Sequence, residues 1–287
     1  MAILMLGKEV TASLNERLKG RVDFLKEKGI QPQLAIVRVG ENGGDISYER
    51  GAAKRCETLG VNCVRIHLAQ TSSTEDVLDV IEELNRDSAV HGVLLLRPLP
   101  KHMDQARIEN ALDPSKDVDC MTDASLTGVF TGKKIGFAPC TAQACMEILD
   151  HYGIDCEGRR AVVIGRSLVI GKPAAMLLLK KNATVTVCHT RTKDLPSVTR
   201  EADILIAAAG CAKMVDGSYV REGQVILDVG IHADENGKLC GDVDTEAAQE
   251  KAAYITPVPG GVGSVTTSVL LSHVIEAAET ACAAEKP

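Results

Sequence analysis

Short apolar stretches alternate with amphipathic helical ones along most of the chain, which predicts an α/β protein of mostly parallel sheets under helical cover. Two further observations divide it. Residues 113–140 interrupt the rhythm with Asp-Pro-Ser-Lys-Asp-Val-Asp and several glycines, placing a domain junction there. Residues 161–173 then read as an apolar strand, a loop from Gly165 and a helix starting near Gly171. That order suits a Rossmann-like second domain that holds a dinucleotide at its first strand–helix turn.

In the first domain, residues 10–28 read as an amphipathic helix, 33–39 as a strand ending at Gly40, and 45–59 as a helix with Asp45 as N-cap. A strand follows at 63–68. Ser72 and Glu75 form a capping-box pattern before a helix with Val77, Val80, Ile81 and Leu84 on one face. Residues 92–96 are a buried-type strand, cut off by Arg97-Pro98-Leu99-Pro100. In the second domain, helices are expected at 141–152 and 172–181. Strands are expected at 161–164, 184–188, 204–208, 225–229 and 252–256. A final helix runs from about Thr266 to Ala283. The expected domains are therefore 1–140, joined by the C-terminal helix 266–287, and 141–265. The return of that helix to the first domain rests on the resemblance described below.

Composition narrows the function classes. The chain has 287 residues, 45% hydrophobic and 25% charged, as in a soluble globular protein of one large or two ordinary domains. A net charge of −7 argues against nucleic acid or an anionic membrane as partner. Three Phe, four Tyr and no Trp offer little base-stacking surface. No apolar run suggests a membrane span or a signal peptide. The ten cysteines form no Cys-x-x-Cys pair, which argues against a metal ribbon and for reduced thiols in a cytoplasmic protein.

The most informative stretch is Thr-Pro-Val-Pro-Gly-Gly-Val-Gly-Ser-Val-Thr-Thr at 256–267. Its clustered glycines permit turns and close backbone approach, while Pro257 and Pro259 stiffen the entry. A rigid loop of this kind opening a helix suits a planar or anionic ligand. In the dinucleotide fold, the end of the second strand meets the adenosine ribose, and a carboxylate there selects NAD. Here the strand ends Cys-His-Thr-Arg-Thr, so Thr190 and Arg191, with Arg166 in the glycine loop, favour the 2′-phosphate of NADP.

Three more features fall in the first domain: Tyr48, expected in the first turn of its helix, Lys-Asp-Val-Asp at 116–119, and Pro-Cys-Thr at 139–141. With residues 257–263, Gly-Arg-Ser at 165–167, Asp-Val-Gly-Ile at 228–231 and Gly-Asp-Val at 241–243, the chain resembles the methylenetetrahydrofolate dehydrogenase/methenyltetrahydrofolate cyclohydrolase family of the FolD type. The motifs occur in order over nearly the whole length. The resemblance implies NADP-dependent oxidation of 5,10-methylenetetrahydrofolate in one-carbon metabolism, by a cytoplasmic homodimer. Tyr48 and Asp119 would then be catalytic and hold the folate, with Pro259, Gly260 and Gly261 lining the folate side. Gly165, Arg166, Ser167, Thr190, Arg191 and Ile231 would hold NADP, and no metal is implied.

The chain departs from the family pattern at two coupled positions. The family's cyclohydrolase lysine, four residues after Tyr48, is Ala52, and the glutamine that partners it is Leu96. At about 100° per residue, Lys54 lies about 240° from Tyr48 around the helix, so a hydrolase rebuilt on Lys54 would need an irregular helix, for which Gly51 leaves room. Arg55 returns to the Tyr48 face but cannot act as a base at neutral pH. Smaller departures are Cys120 for Gly, Ala142 for Pro and Ser264 for Pro. The expectation is strong dehydrogenase activity with cyclohydrolase activity weak, absent or rebuilt. Two other readings are a shikimate-type NADP dehydrogenase, which would want a Lys/Asp pair that the first domain does not offer, and a non-catalytic folate or nucleotide binder.

Overall fold

The structure, a computed structural model, describes residues 1–234 and 237–284, the side chain of Ala284 excepted. The chain opens with β1 (Ile3–Leu4) and α1 (Gly7–Glu27). It continues through β2 (Gln33–Val39), α2 (Gly43–Leu59), β3 (Asn62–Leu68), α3 (Thr74–Arg86), β4 (Gly92–Leu95), α4 (Gln105–Glu109) and α5 (Asp123–Thr131). Next come α6 (Cys140–His151), β5 (Arg160–Ile164), α7 (Gly171–Lys180), β6 (Thr184–Cys188), α8 (Leu195–Arg200), β7 (Ile204–Ala207) and β8 (Val225–Asp228). The hairpin β9 (His232–Ala233) and β10 (Leu239–Cys240), α9 (Thr245–Ala248), β11 (Tyr254–Ile255) and α10 (Thr266–Ala284) complete it.

The chain forms two compact units, one of Ser13–Cys140 with Thr267–Pro287, the other of Met1–Ala12 with Thr141–Thr266. In the first, a parallel sheet of order β3-β2-β4 centres on β2. Six of the seven β2 residues are buried, as a strand covered on both faces requires. Val77, Ile81 and Leu84 of α3 pack against this core. The C-terminal helix α10 belongs to the same unit. Gly92 at the start of β4 has no room for a side chain because Val118 and Val274 close over it, and Arg21 of α1 pairs with Glu279 at 2.6 Å.

The second unit holds a six-stranded, all-parallel sheet of order β1-β11-β8-β7-β5-β6. The chain proceeds from β5 to β6 on one side, then crosses back to β7, β8 and β11 on the other. Strand order therefore reverses between β5 and β7, the position at which open α/β sheets bind ligands beyond their carboxyl ends.

Several expectations are corrected. Residues 1–12 do not join the first domain: Ile3 and Leu4 pair with Tyr254 and Ile255 and extend the six-stranded sheet. Two residues too short to announce themselves as a strand are fixed by that partner. The N-cap of α2 is Asn42 rather than Asp45, its Oδ1 accepting the N–H groups of Gly44 and Asp45 at 2.8 and 3.2 Å. The helix thus starts two residues earlier, and Tyr48 sits in its second turn. The α3 capping box is Ser73 with Asp76 rather than Ser72 with Glu75, with reciprocal bonds of 3.2 and 2.7 Å. Ser72-Ser73-Thr74-Glu75-Asp76 satisfies the pattern in both registers, so spacing alone does not choose. The glycine loop enters α10 through a 3₁₀ turn, Val262–Ser264.

Candidate active site

In the three-stranded unit, α2 is locked in rotation by a buried ion pair. Arg38 at the end of β2 donates through Nε to Glu49 Oε2 at 2.9 Å, and His67 of β3 lies 3.0 Å from Glu49 Oε1. Burial alone would raise the Glu49 carboxyl, but Arg38 and His67 hold it below its ordinary value. The lock leaves Tyr48 half-buried and turns Ala52 and Cys56 fully inward. The helix is continuous through Gly51, so the irregularity that Lys54 needed is absent, and Lys54 is exposed. The structure therefore does not bring Lys54 to the Tyr48 face. Leu96 follows β4, 7% exposed, with its N–H bonded to the Val37 carbonyl at 2.9 Å.

The two carboxylates of Lys-Asp-Val-Asp separate into distinct roles. Asp117 is buried and accepts from the N–H groups of Met121 and Thr122 and from the Thr122 hydroxyl at 2.8–2.9 Å. Lys116 donates to the carbonyls of Leu84, Asn85 and Asp87. Both are structural. Asp119 is half-buried and accepts the N–H of Cys140 at 3.3 Å. Burial pushes its carboxyl up, against the opposing pull of Cys140 and the Arg97 charge. Cys120 beside it has φ +56°, a left-handed conformation for which glycine is the usual residue.

In the other unit, the glycine loop after β5 is built by backbone stacking. Gly165 has φ +124°, and a Cβ there would overlap the carbonyl oxygen of Ala208; a Cβ on Gly171 would overlap the carbonyl of Gly165. Two glycines six residues apart thus let the loops after β5 and β7 and the start of α7 touch through main chain at the strand-order reversal. Ser167 Oγ accepts the N–H of Ile170 at 3.1 Å and faces that of Gly171 at 3.5 Å, satisfying amides at the head of α7. The guanidinium groups of Arg166 and Arg191 are exposed and make no hydrogen bond or ion pair among the described residues. Thr190 and Arg191 lie in an exposed turn after β6, in which the Arg191 N–H donates to His189 Nδ1 at 3.1 Å. Close backbone approach, a helix N-terminus and two unpartnered cations fit a dinucleotide with an additional phosphate.

A pocket of about 230 Å³ in the same unit is lined by residues 228–231, Leu239 and residues 257–264. It brings Ile231, 63% exposed, together with Pro259, Gly260 and Gly261. A Cβ on Gly263 would crowd the Ile231 side chain at 3.2 Å. The loop is anchored from beneath. Gly7 N–H donates to the Gly260 carbonyl at 2.8 Å, and Ser264 Oγ donates to that of Gly261 at 2.7 Å. Sequence patterning does not reveal two buried carboxylates here, Asp228, which lines the pocket, and Asp242, which bonds to it through its main-chain N–H. Asp-Val-Gly-Ile at 228–231 and Gly-Asp-Val at 241–243 are each visible in the sequence, but nothing local says that the two meet.

Fold and site define a two-unit α/β protein with a dinucleotide-type sheet in one unit and a carboxylate-bearing parallel sheet in the other. The sequence matches the profile of the tetrahydrofolate dehydrogenase/cyclohydrolase catalytic domain over residues 5–119, and that family's NAD(P)-binding domain over residues 139–282. Its relatives include a Clostridioides difficile protein named Bifunctional protein FolD, 51% identical over 274 residues covering 96% of each chain. The crystal structure of the bifunctional FolD methylenetetrahydrofolate dehydrogenase/cyclohydrolase from Campylobacter jejuni is 42% identical with a TM-score of 0.95, covering 98% of this chain and 99% of that one. A Trypanosoma brucei methylenetetrahydrofolate dehydrogenase-cyclohydrolase, solved with NADP cofactor and inhibitor, is 33% identical with a TM-score of 0.91 over 98% of both chains. The chain belongs to the tetrahydrofolate dehydrogenase/cyclohydrolase family. A shikimate dehydrogenase from Aquifex aeolicus, 12% identical with a TM-score of 0.51, shares the fold alone.

Proposed function

We propose that this chain oxidises 5,10-methylenetetrahydrofolate to 5,10-methenyltetrahydrofolate with NADP, and that it hydrolyses the methenyl product poorly. The observation that carries the dehydrogenase reading is the main-chain stacking of Gly165 on Ala208 at the strand-order reversal, with Arg166 and Arg191 beyond it and without a partner among the described residues. Arg191 and Thr190 would take the 2′-phosphate, and Gly165, Ser167 and the first turn of α7 the pyrophosphate. Ile231 would pack against the nicotinamide end, beside Pro259, Gly260 and Gly261 on the folate side.

Bound NADP supplies a hydride acceptor at its nicotinamide C4. The substrate's C–H bond breaks as hydride leaves, and a ring-nitrogen lone pair stabilises the cation left behind, so no side chain must take a proton. The protein's part is orientation. Asp119 would accept from the pterin amino and ring N–H groups, and Tyr48 would stack on or hydrogen-bond the folate. Adding water to the methenyl carbon is different, because water must lose a proton and a ring nitrogen must gain one. Ala52 and Leu96 offer neither base nor acid, and Lys54 is on another face of α2. Positioned acid–base help of this kind typically contributes about 10²–10⁴-fold.

The homodimer and the cytoplasmic setting implied by the family belong to this reading. No helix among the described residues is long and apolar enough to cross a membrane. The test is to mix protein, methylenetetrahydrofolate and NADP, follow reduced cofactor, repeat with NAD, and then follow methenyl decay. Fast NADP reduction with slow decay is expected. Ligand binding without cofactor reduction would instead support a non-catalytic binder.

A further inference from the structure

Asp228 and Asp242 are 1% and 0% exposed, and neither has a lysine or arginine partner among the described residues. Burying two carboxylates side by side is costly unless hydrogen bonds replace the lost water. Here the replacement comes almost entirely from loop backbone. Asp242 Oδ2 accepts the N–H groups of Ala209 and Gly210 at 2.6 and 3.1 Å, and its Oδ1 accepts that of Cys211 at 3.0 Å. Asp228 Oδ1 accepts the N–H groups of Gly230 and Asp242 at 3.0 and 2.9 Å, and its Oδ2 accepts that of Val243 at 2.9 Å. The remaining partner is His232 of β9, whose Nε2 lies 2.7 Å from Asp242 Oδ1.

The loops so held are the ones that shape the candidate cofactor site. Residues 208–211 follow β7, and the Ala208 carbonyl is the atom stacked against Gly165. Residues 229–231 follow β8 and carry Ile231 into the 230 Å³ pocket. The approach is close: a Cβ on Gly230 would strike the Asp242 main chain and carboxylate, and one on Gly241 would strike the Asp228 carboxylate. The Asp228 N–H also donates to Thr256 Oγ1 at 2.7 Å, immediately before the glycine loop at 257–263. The two carboxylates thus tie together the segments after β7, β8 and β10, and the Asp228 main chain adds a bond to the residue that opens the segment after β11. We propose that Asp242, braced by Asp228 and His232, is a positioning residue for the dinucleotide: it fixes the loop opposite Gly165 and the Ile231 wall without touching the ligand.

This inference rests on the NADP-dehydrogenase reading. Asp228 and Asp242 face one another, and His232 faces Asp242; these are the titratable groups of the cluster. Burial pushes the Asp228 carboxyl up to about 6; its backbone hydrogen bonds oppose the rise and the Asp242 charge adds to it. The brace should therefore loosen as pH falls through that value, when Asp228 stops being a full acceptor.

The test is calorimetric titration of NADP⁺ into the full chain, with steady-state KM for each substrate. Asp242→Asn keeps the size but cannot accept all four bonds, and about a tenfold or greater weakening of NADP⁺ binding is expected, with the methylenetetrahydrofolate KM within about twofold. One charge-assisted bond typically accounts for a change of that size. His232→Ala removes a partly exposed partner, leaves the three N–H bonds in place, and should weaken NADP⁺ binding about threefold with unfolding temperature nearly unchanged. It decides the matter if Asp242→Asn does not fold. Wild-type NADP⁺ affinity should also fall between pH 7 and about 5.5. Variants that fold and bind NADP⁺ like the wild type, or that shift both KM values equally, overturn the brace alone. A wild-type chain that does not bind NADP⁺ overturns the parent reading and the brace with it.

Discussion

Restoring the missing proton-transfer pair is the most direct probe of how this chain divides two half-reactions. Position 52 lies four residues after Tyr48 on an unbroken helix, hence about 6 Å further along and only about 40° around it. Ala52 has no exposed surface, and Leu96 is 7% exposed at the end of β4. Placing lysine and glutamine there, as Ala52→Lys with Leu96→Gln, overfills a packed region, which typically costs about 1–3 kcal/mol. The gain sought is a general acid–base contribution of about 10²–10⁴-fold, equivalent to about 3–5 kcal/mol in the barrier. An overpacking cost of that size is smaller than the about 5–15 kcal/mol by which native proteins are stable, so the double variant should fold, retain NADP reduction within about tenfold, and hydrolyse methenyltetrahydrofolate at least about a hundredfold faster than wild type. Stopped-flow decay of methenyl absorbance measures this, with cofactor reduction followed in parallel. Lys54→Ala should change neither rate. Wild-type hydrolysis already as fast as hydride transfer would refute the reasoning. So would a folded, folate-binding double variant with no gain.

Three other outcomes are expected. Gly165→Ala forces a side chain into φ +124° and into the Ala208 carbonyl, so the NADP KM should rise at least about tenfold while folate binding to the isolated protein is unchanged. Arg191→Gln should cut the preference for NADP over NAD by about tenfold or more, because one charge-assisted phosphate contact is lost; being exposed, the position should alter stability by less than about 0.5 kcal/mol. The third concerns pH. Asp228 titrates near 6 in the fold, against 3.8 ordinarily. Its protonated form is favoured by folding, so its contribution is full below pH about 4 and is lost as pH rises through 6, by up to about 3 kcal/mol. Urea unfolding of wild type and Asp228→Asn from pH 4 to 7.5 should show wild type losing stability relative to the variant across that window. Parallel curves would contradict it.

Much of this was legible in the sequence. The strand at 33–39 declared itself in place because a mostly apolar run between Pro32 and Gly40 is a local signal, and that at 184–188 because alternating Thr and Val residues after a turn are another. The glycine loops were legible for the same reason: their composition excludes helix or strand interiors whatever surrounds them. Lys54 could be turned away from Tyr48 by arithmetic on helical pitch, leaving only the continuity of α2 through Gly51 to be seen. Where two local solutions were equally good, as for Ser72 and Ser73, the sequence could not choose.

What only the tertiary structure decided is what depends on partners distant along the chain. β1 is a strand because Tyr254 and Ile255 offer it an edge. Arg38 and Glu49 become a lock because a strand end and a helix meet there. Asp228 and Asp242, fourteen residues apart in sequence, become one brace because parallel strands bring loops of different origin to a common edge. Local pattern sets element type through backbone and burial periodicity. The pairing of buried charge with loop amides is a long-range match, settled only when the sheet closes.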